Sequence, residues 1–228
     1  MDFVPFEAKI GFTFTDKRLI ETAFTHRSYL NENRAAGREH NERLEFLGDA
    51  VLELVVTEFL YKKYPEKPEG ELTAFRAALV NTLSIADAAT QLGMNEFLLL
   101  SRGEAKDTGR ARGIILANAF EALIGAIYLD AGYVAAYAFI ESQLFHKTDE
   151  VVEKRLWQDS KSRLQELAQE KMAVTPTYEL ANQSGPDHDK RFVVAVYLGS
   201  DKTALGEGRS KQEAEQDAAQ KALIAKGW

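Results

Sequence analysis

The chain has no cysteine. Disulfide frameworks and thiolate metal sites are therefore excluded, and a reducing compartment is the expected setting. A long apolar run is missing too. The most apolar stretch, residues 114–129, contains Glu121 and is shorter than the about 20 residues that a membrane-spanning helix requires. The opening residues, MDFVPFEAKIGF, have neither the cationic start nor the apolar stretch of a secretory signal. A soluble, cytoplasmic protein without membrane contact is the expectation. An excess of positive charge is also absent. Lys and Arg number 28 against 35 Asp and Glu, a net charge of −7, which argues against nucleic-acid binding by bulk electrostatics. There is no internal repeat and no low-complexity segment. At 228 residues and 45% hydrophobic content the chain is long and apolar enough to bury a substantial core.

Two patterns divide the sequence. From about residue 6 to residue 145 apolar residues recur at spacings of three and four, without strand-like alternation. This predicts helices at 16–24, 41–64, 71–79, 81–92, 95–100, 113–131 and 133–146. Pro65 and Pro68 end the second of these, and Gly132 ends the buried one. The polar, glycine-punctuated segment SRGEAKDTGRAR, 101–112, reads as a surface loop. The charged stretch HKTDEVVEKR, 146–155, reads as a linker, bounded at 149–157 between domains at 1–148 and 158–228. Beyond it, an amphipathic helix is expected at 159–172, with Leu164, Leu167 and Met172 turned inward. Strands follow at 176–183, 190–198 and 202–208, with a last helix at 210–225. The predicted fold class is an all-α N-terminal domain followed by a small α+β domain, ordered α-β-β-β-α, with both helices on one face of an antiparallel sheet.

Within the first domain, residues 41–49 read NERLEFLGD. On a helix, Glu42, Glu45, Asp49 and Glu53 fall within an arc of roughly 80°. Leu44, Leu47, Val51, Leu54 and Val55 are expected on the opposite, core-facing side. No Lys or Arg on the same arc neutralises the acids, and Arg43 points away. Aligned like charges repel by a few tenths of a kcal/mol per pair. Either the arc is a solvated helix face, or a hard divalent cation offsets the repulsion through oxygen ligands. Gly48 costs about 1 kcal/mol relative to Ala in mid-helix, as though a neighbour must approach the backbone there. Phe46 borders the arc away from the apolar stripe, which points to burial against a second surface.

The helix at 113–131 is apolar nearly all round and should be buried. Asn118 and Glu121 are its strongly polar residues, three apart on one side. A buried carboxylate is paired, protonated or bound to a metal. Glu121 therefore either pairs with a core-facing arginine, Arg76 or Arg27, or meets Glu45 and Asp49 in an oxygen-only site suited to Mg²⁺ or Mn²⁺. His26 reads as a structural histidine at a helix end. In the second domain Lys and Arg number 10 against 11 Asp and Glu, so binding of a polyanion there depends on placement. Ser210 and Glu213 form an S-x-x-E capping box. It sets backbone N–H groups and Lys211 at a helix N-terminus, where phosphate is favoured.

The segments THRSY (25–29), HNERLEFLGDA (40–50), PEGEL (68–72) and ILANAFEALIGAIYLD (115–130) resemble bacterial ribonuclease III. SRLQEL (162–167), GPDHDK (185–190) and GEGRSKQEAEQDAA (206–219) look like its double-stranded RNA-binding domain. The resemblance covers almost the whole chain in the expected order. It implies a homodimer that cleaves duplex RNA with Mg²⁺, for which Mn²⁺ substitutes, in ribosomal and messenger RNA processing, leaving 5′-phosphate and 3′-hydroxyl ends. It further implies Glu45, Asp49 and Glu121 as metal ligands, Asp49 and Glu121 as catalytic residues, and Glu42 and Glu69 as supporting acids. Phe46 would contact the partner subunit, and Gln165, His188 and Lys211 would contact RNA. One position departs: Asn118 stands where the family usually has a fourth carboxylate. Its amide oxygen can still ligate a cation, but the lost charge predicts weaker metal binding. A second reading follows, a catalytically weakened double-stranded RNA-binding protein of the same fold.

Overall fold

The computed structural model describes residues 1–33, 39–106, 109–153, 157, 159–186 and 190–228. The chain forms two compact units, Met1–Trp157 and Gln158–Trp228.

The first unit is helical. It contains α1 (Val4–Ile10), α2 (Lys17–Ala23), α3 (Arg27–Glu32), α4 (Glu42–Lys63), α5 (Glu69–Leu79), α6 (Thr82–Gln91), α7 (Arg110–Leu144) and α8 (Thr148–Glu153). α4 and α7 pack against each other along the centre of a single core, which includes Leu52, Val55, Phe120, Leu123 and Ile127. α7 is long and apolar enough to cross a membrane by length and composition, yet 61% of its apolar window is buried within the unit. Its helical geometry breaks at Gly132, whose φ is 79°, so the expected division into two helices falls at that glycine.

Several expectations for this unit need correction. α1 and α3 are additional helices, each too short to display a full apolar period. The helix expected at 95–100 is only a 3₁₀ turn, Met94–Glu96. The chain then extends so that Leu99 forms a parallel bridge with Thr25, and this pairing outweighs local helical preference. Leu54 is 57% exposed, because it lies at the edge of the apolar stripe on α4. The segment 149–157 is not simply a linker. Residues up to 153 are in α8, Val151, Val152 and Trp157 pack on the core, and the Trp157 ring meets Phe75 edge-on at 5.0 Å. Charge on the outer side of α8 conceals this short apolar face in the sequence.

The second unit contains α9 (Ser160–Met172), β1 (Pro176–Ser184), β2 (Arg191–Leu198), β3 (Asp201–Gly208) and α10 (Lys211–Lys226). The strands form an antiparallel sheet in the order β1-β2-β3. Val196 and Leu198 of the sheet pack with Leu164 and Ala168 of α9 and with Ala218, Ala219 and Ala222 of α10. The alanines bring α10 close to the sheet. Met172 is 41% exposed rather than inward, since α9 ends there and Ala173 turns left-handed.

Candidate catalytic centre and nucleic-acid surface

Two glycines set the centre of the first unit. A Cβ on Gly48 of α4 would lie 1.7 Å from the Glu121 carbonyl oxygen of α7, and one on Gly125 would lie 2.3 Å from the Leu44 carbonyl oxygen. Only hydrogen fits at either position, so the two helices touch backbone to backbone. The neighbour anticipated for Gly48 is therefore the turn of α7 that carries Glu121. Glu45 and Asp49 flank Gly48, and their charges act directly on the Glu121 carboxyl.

The acids on α4 then have two different fates. Arg27 Nη1 of α3 lies 3.7 Å from Glu42 Oε1, and Arg76 Nη1 of α5 lies 3.4 Å from Glu53 Oε2. The arc is thus neutralised at both ends by arginines from other helices, which correction no helical wheel provides. These are the same two arginines considered as partners for Glu121. Engaged elsewhere, they leave Glu45, Asp49 and Glu121 without an ion pair among the described residues.

Burial, followed by the charges of Asp49 and Glu45, pushes the Glu121 carboxyl up to about 7. Burial, then Glu42 and Asp49, likewise raise Glu45, while hydrogen bonding by the Asn118 side chain pulls the other way. Asn118 is half-buried on α7, three residues before Glu121. Among the described residues no three carboxylates or imidazoles already converge closely enough to hold a metal ion. The donor chemistry nevertheless fits a hard divalent cation: oxygen atoms only, an uncompensated negative charge, and repulsion that a cation would relieve. Closing around one requires rotation of the carboxylates while the glycine contact holds the helices.

The remaining residues of the first unit separate clearly. Glu69 opens α5 and lines a cavity of about 460 Å³ with Thr57, Leu60 and Tyr61. Thr57 is two turns beyond Asp49, about 12 Å along α4. Phe46 is 82% exposed. It borders a cavity of about 640 Å³ whose walls include Leu19, Thr22, Leu47 and Leu129. His26 caps α3: its Nδ1 lies 2.8 Å from Ser28 Oγ, and burial lowers its pKa. That is the structural role expected of it. His40, which lies beside Glu42, had no role in the sequence reading although it falls in a quoted motif, and Arg27 was considered there only as a partner for Glu121.

In the second unit the start of α10 is built as the capping box requires, with one change. Ser210 Oγ accepts from the Glu213 N–H at 3.1 Å, while Glu213 Oε2 accepts from the Arg209 N–H rather than that of Ser210. Lys211 and Gln165 are exposed. His188 lies outside the described residues. The acids near the start of α10 are engaged internally. Glu215 pairs with Lys161 at 2.6 Å, and Asp217 Oδ2 accepts from Lys221 Nζ and the Glu207 N–H, each at 2.7 Å.

Residues 16–148 match the family model described as Ribonuclease-III-like, and residues 160–225 match the double-stranded RNA binding motif. Ribonuclease 3 of Geobacillus kaustophilus (strain HTA426) is 48% identical over 97% of this chain and 89% of its own length. Ribonuclease 3 of Bacillus cereus (strain AH187) is 46% identical over 97% and 90%. The nuclease domain of ribonuclease III from Campylobacter jejuni, solved with structural flexibility in its region involved in dimer formation, is 41% identical. It aligns with a TM-score of 0.56 over 62% of this chain and 98% of that one.

Proposed function

The chain belongs to the ribonuclease III family, and we propose that it hydrolyses both strands of duplex RNA as a homodimer, using Mg²⁺ or Mn²⁺ and leaving 5′-phosphate and 3′-hydroxyl ends. The observation that carries the metal-dependent reading is the contact at Gly48, which sets Glu45 and Asp49 against Glu121 with no arginine or lysine among the described residues to neutralise them. These three carboxylates would hold the cation, with the Asn118 amide oxygen as a neutral fourth donor. When bound, the cation lowers the pKa of the attacking water and offsets charge on the phosphate. Asp49 and Glu121 would act as direct carboxylate ligands from two different helices, whose backbones the glycine contact holds together.

Exposed Phe46 beside a cavity walled by Leu19, Leu44, Leu47 and Leu129 and rimmed by charged side chains supports an isologous contact in which each subunit receives the other's ring. The dimer-forming region of the Campylobacter jejuni domain supports the same reading. The second unit supplies duplex affinity through Lys211 and Gln165. Such domains recognise A-form shape and 2′-hydroxyls more than sequence, which suits processing of ribosomal and messenger precursors in the cytoplasm. A catalytically weakened protein finds no support: relatives matched along nearly the whole chain bear the name Ribonuclease 3.

Incubation of the purified protein with long duplex RNA and Mg²⁺ tests the reading. Short duplexes with 5′-phosphates are expected, dependent on the cation and lost in Glu121→Gln. Cleavage that persists in chelator, or in Glu121→Gln, would overturn it.

A further inference from the structure

Glu42 opens the arc three residues before Glu45, and each of its oxygens faces a basic side chain just beyond hydrogen-bond distance. Oε1 lies 3.7 Å from Arg27 Nη1 and Oε2 lies 3.7 Å from His40 Nδ1. The backbone around this group is firmly sewn. The Asn41 N–H donates to Thr25 O at 2.9 Å, the His26 N–H to Leu99 O at 3.0 Å, and the Leu99 N–H to Phe24 O at 2.8 Å. The Asn41 side-chain amide adds a buried bond to Ala23 O at 3.2 Å. The start of α3 is therefore fixed beside the start of α4, while the Arg27 side chain, 70% exposed, reaches into solvent.

We propose that Arg27 binds a non-bridging phosphate oxygen of the RNA beside the reacting phosphate, and that Glu42 is the positioning residue that aims its guanidinium. This inference rests on the nuclease reading above. Even with one divalent cation bound, three carboxylates leave the centre negative, so a polyanionic strand entering it is favoured by a further cation next to them. A guanidinium supplies one in a planar, bidentate form that matches phosphate. The exposed Arg27–Glu42 pair, 3.7 Å apart, is weak enough for a phosphate to displace the carboxylate without a large penalty. Arg76 provides the contrast at the other end of the arc. It is only 31% exposed and also donates to Thr57 Oγ1 at 2.9 Å, so it locks α5 to α4 instead.

The test measures duplex RNA cleavage and Mn²⁺ binding on the full-length protein. Arg27→Ala should raise KM about tenfold with kcat within about twofold of wild type, and should flatten the salt dependence of RNA binding by about one phosphate contact. Arg27→Lys should recover part of the loss. Glu42→Gln should raise KM severalfold while its calorimetric Mn²⁺ affinity stays at the wild-type value, and adding it to Arg27→Ala should cost nothing more. Unchanged KM and salt slope in Arg27→Ala would overturn the phosphate role. Loss of Mn²⁺ affinity in Glu42→Gln would overturn the positioning role and return Glu42 to the metal ligands. Failure of the nuclease reading is distinguishable, because the wild-type protein would then neither bind Mn²⁺ nor cleave.

Discussion

Two stretches of this chain are similarly acidic and meet opposite fates. On α10, Glu213, Glu215 and Asp217 each have a partner: the Arg209 N–H, Lys161, and Lys221 with the Glu207 N–H. Burial pushes Asp217 up, but the bonds from Lys221 and Glu207 outweigh it and hold the carboxyl below its usual range. At the crossing of α4 and α7, burial and neighbouring acids act together, and Glu121 rises to about 7. Carboxylates satisfied within the fold are structural, and on α10 they leave the helix N-terminus and Lys211 open to a polyanion. Carboxylates left without a countercharge among the described residues are a standing demand for a cation.

The most forceful way to break this contrast is Gly48→Ala. Its new methyl would collide with the Glu121 carbonyl and force the helices apart. Overpacking against rigid backbone should cost about 3 kcal/mol, or a fall in Tm of roughly 6–12 °C, and cleavage should be lost. A wild-type Tm would show that the contact is slack. Glu121→Gln sharpens the contrast from the other side. Cleavage should fall by at least about a hundredfold, equivalent to losing roughly 3 kcal/mol of transition-state stabilisation. The metal-free protein should nevertheless become more stable at neutral pH, because a repelled charge is gone. Thermal melts in chelator give the sign of that change directly.

Acidity provides a third and gentler probe. The folded pKa of Glu121, about 7, exceeds its ordinary 4.5, so the native protein holds this proton more tightly than the unfolded chain does. Its contribution is fully present below pH 4.5 and is lost as pH rises through about 7. Metal-free protein should therefore lose stability across that window, and saturating Mn²⁺ should restore it at neutral pH. Melting curves from pH 4.5 to 7.5, with and without the cation, check both statements. The smallest effect is expected on α10. Glu215→Gln breaks a partly exposed pair worth less than about 1 kcal/mol, so Tm should barely move, and freeing Lys161 should raise duplex affinity a fewfold at most in a gel-shift titration.

The division into a helical unit and an α-β-β-β-α unit was legible because each element of ordinary length displays its own period. α3 and α8 were not legible, since six residues are too few to show one. The acids of the centre were legible from spacing on α4 and from isolation on α7, and Gly48 announced a close neighbour without naming it. The partners of Glu42 and Glu53 were hidden. Arg27 and Arg76 come from other helices, and a helical wheel contains only the residues of its own helix.

Local pattern alone therefore settled the longer helices, most of their apolar faces, and that carboxylates concentrate near Gly48, because period and residue type act within a few turns of chain. The fold decided which of those carboxylates remain unpaired. Charge neutralisation depends on distances across the core, and here the Gly48–Glu121 contact and the reach of two arginines set those distances.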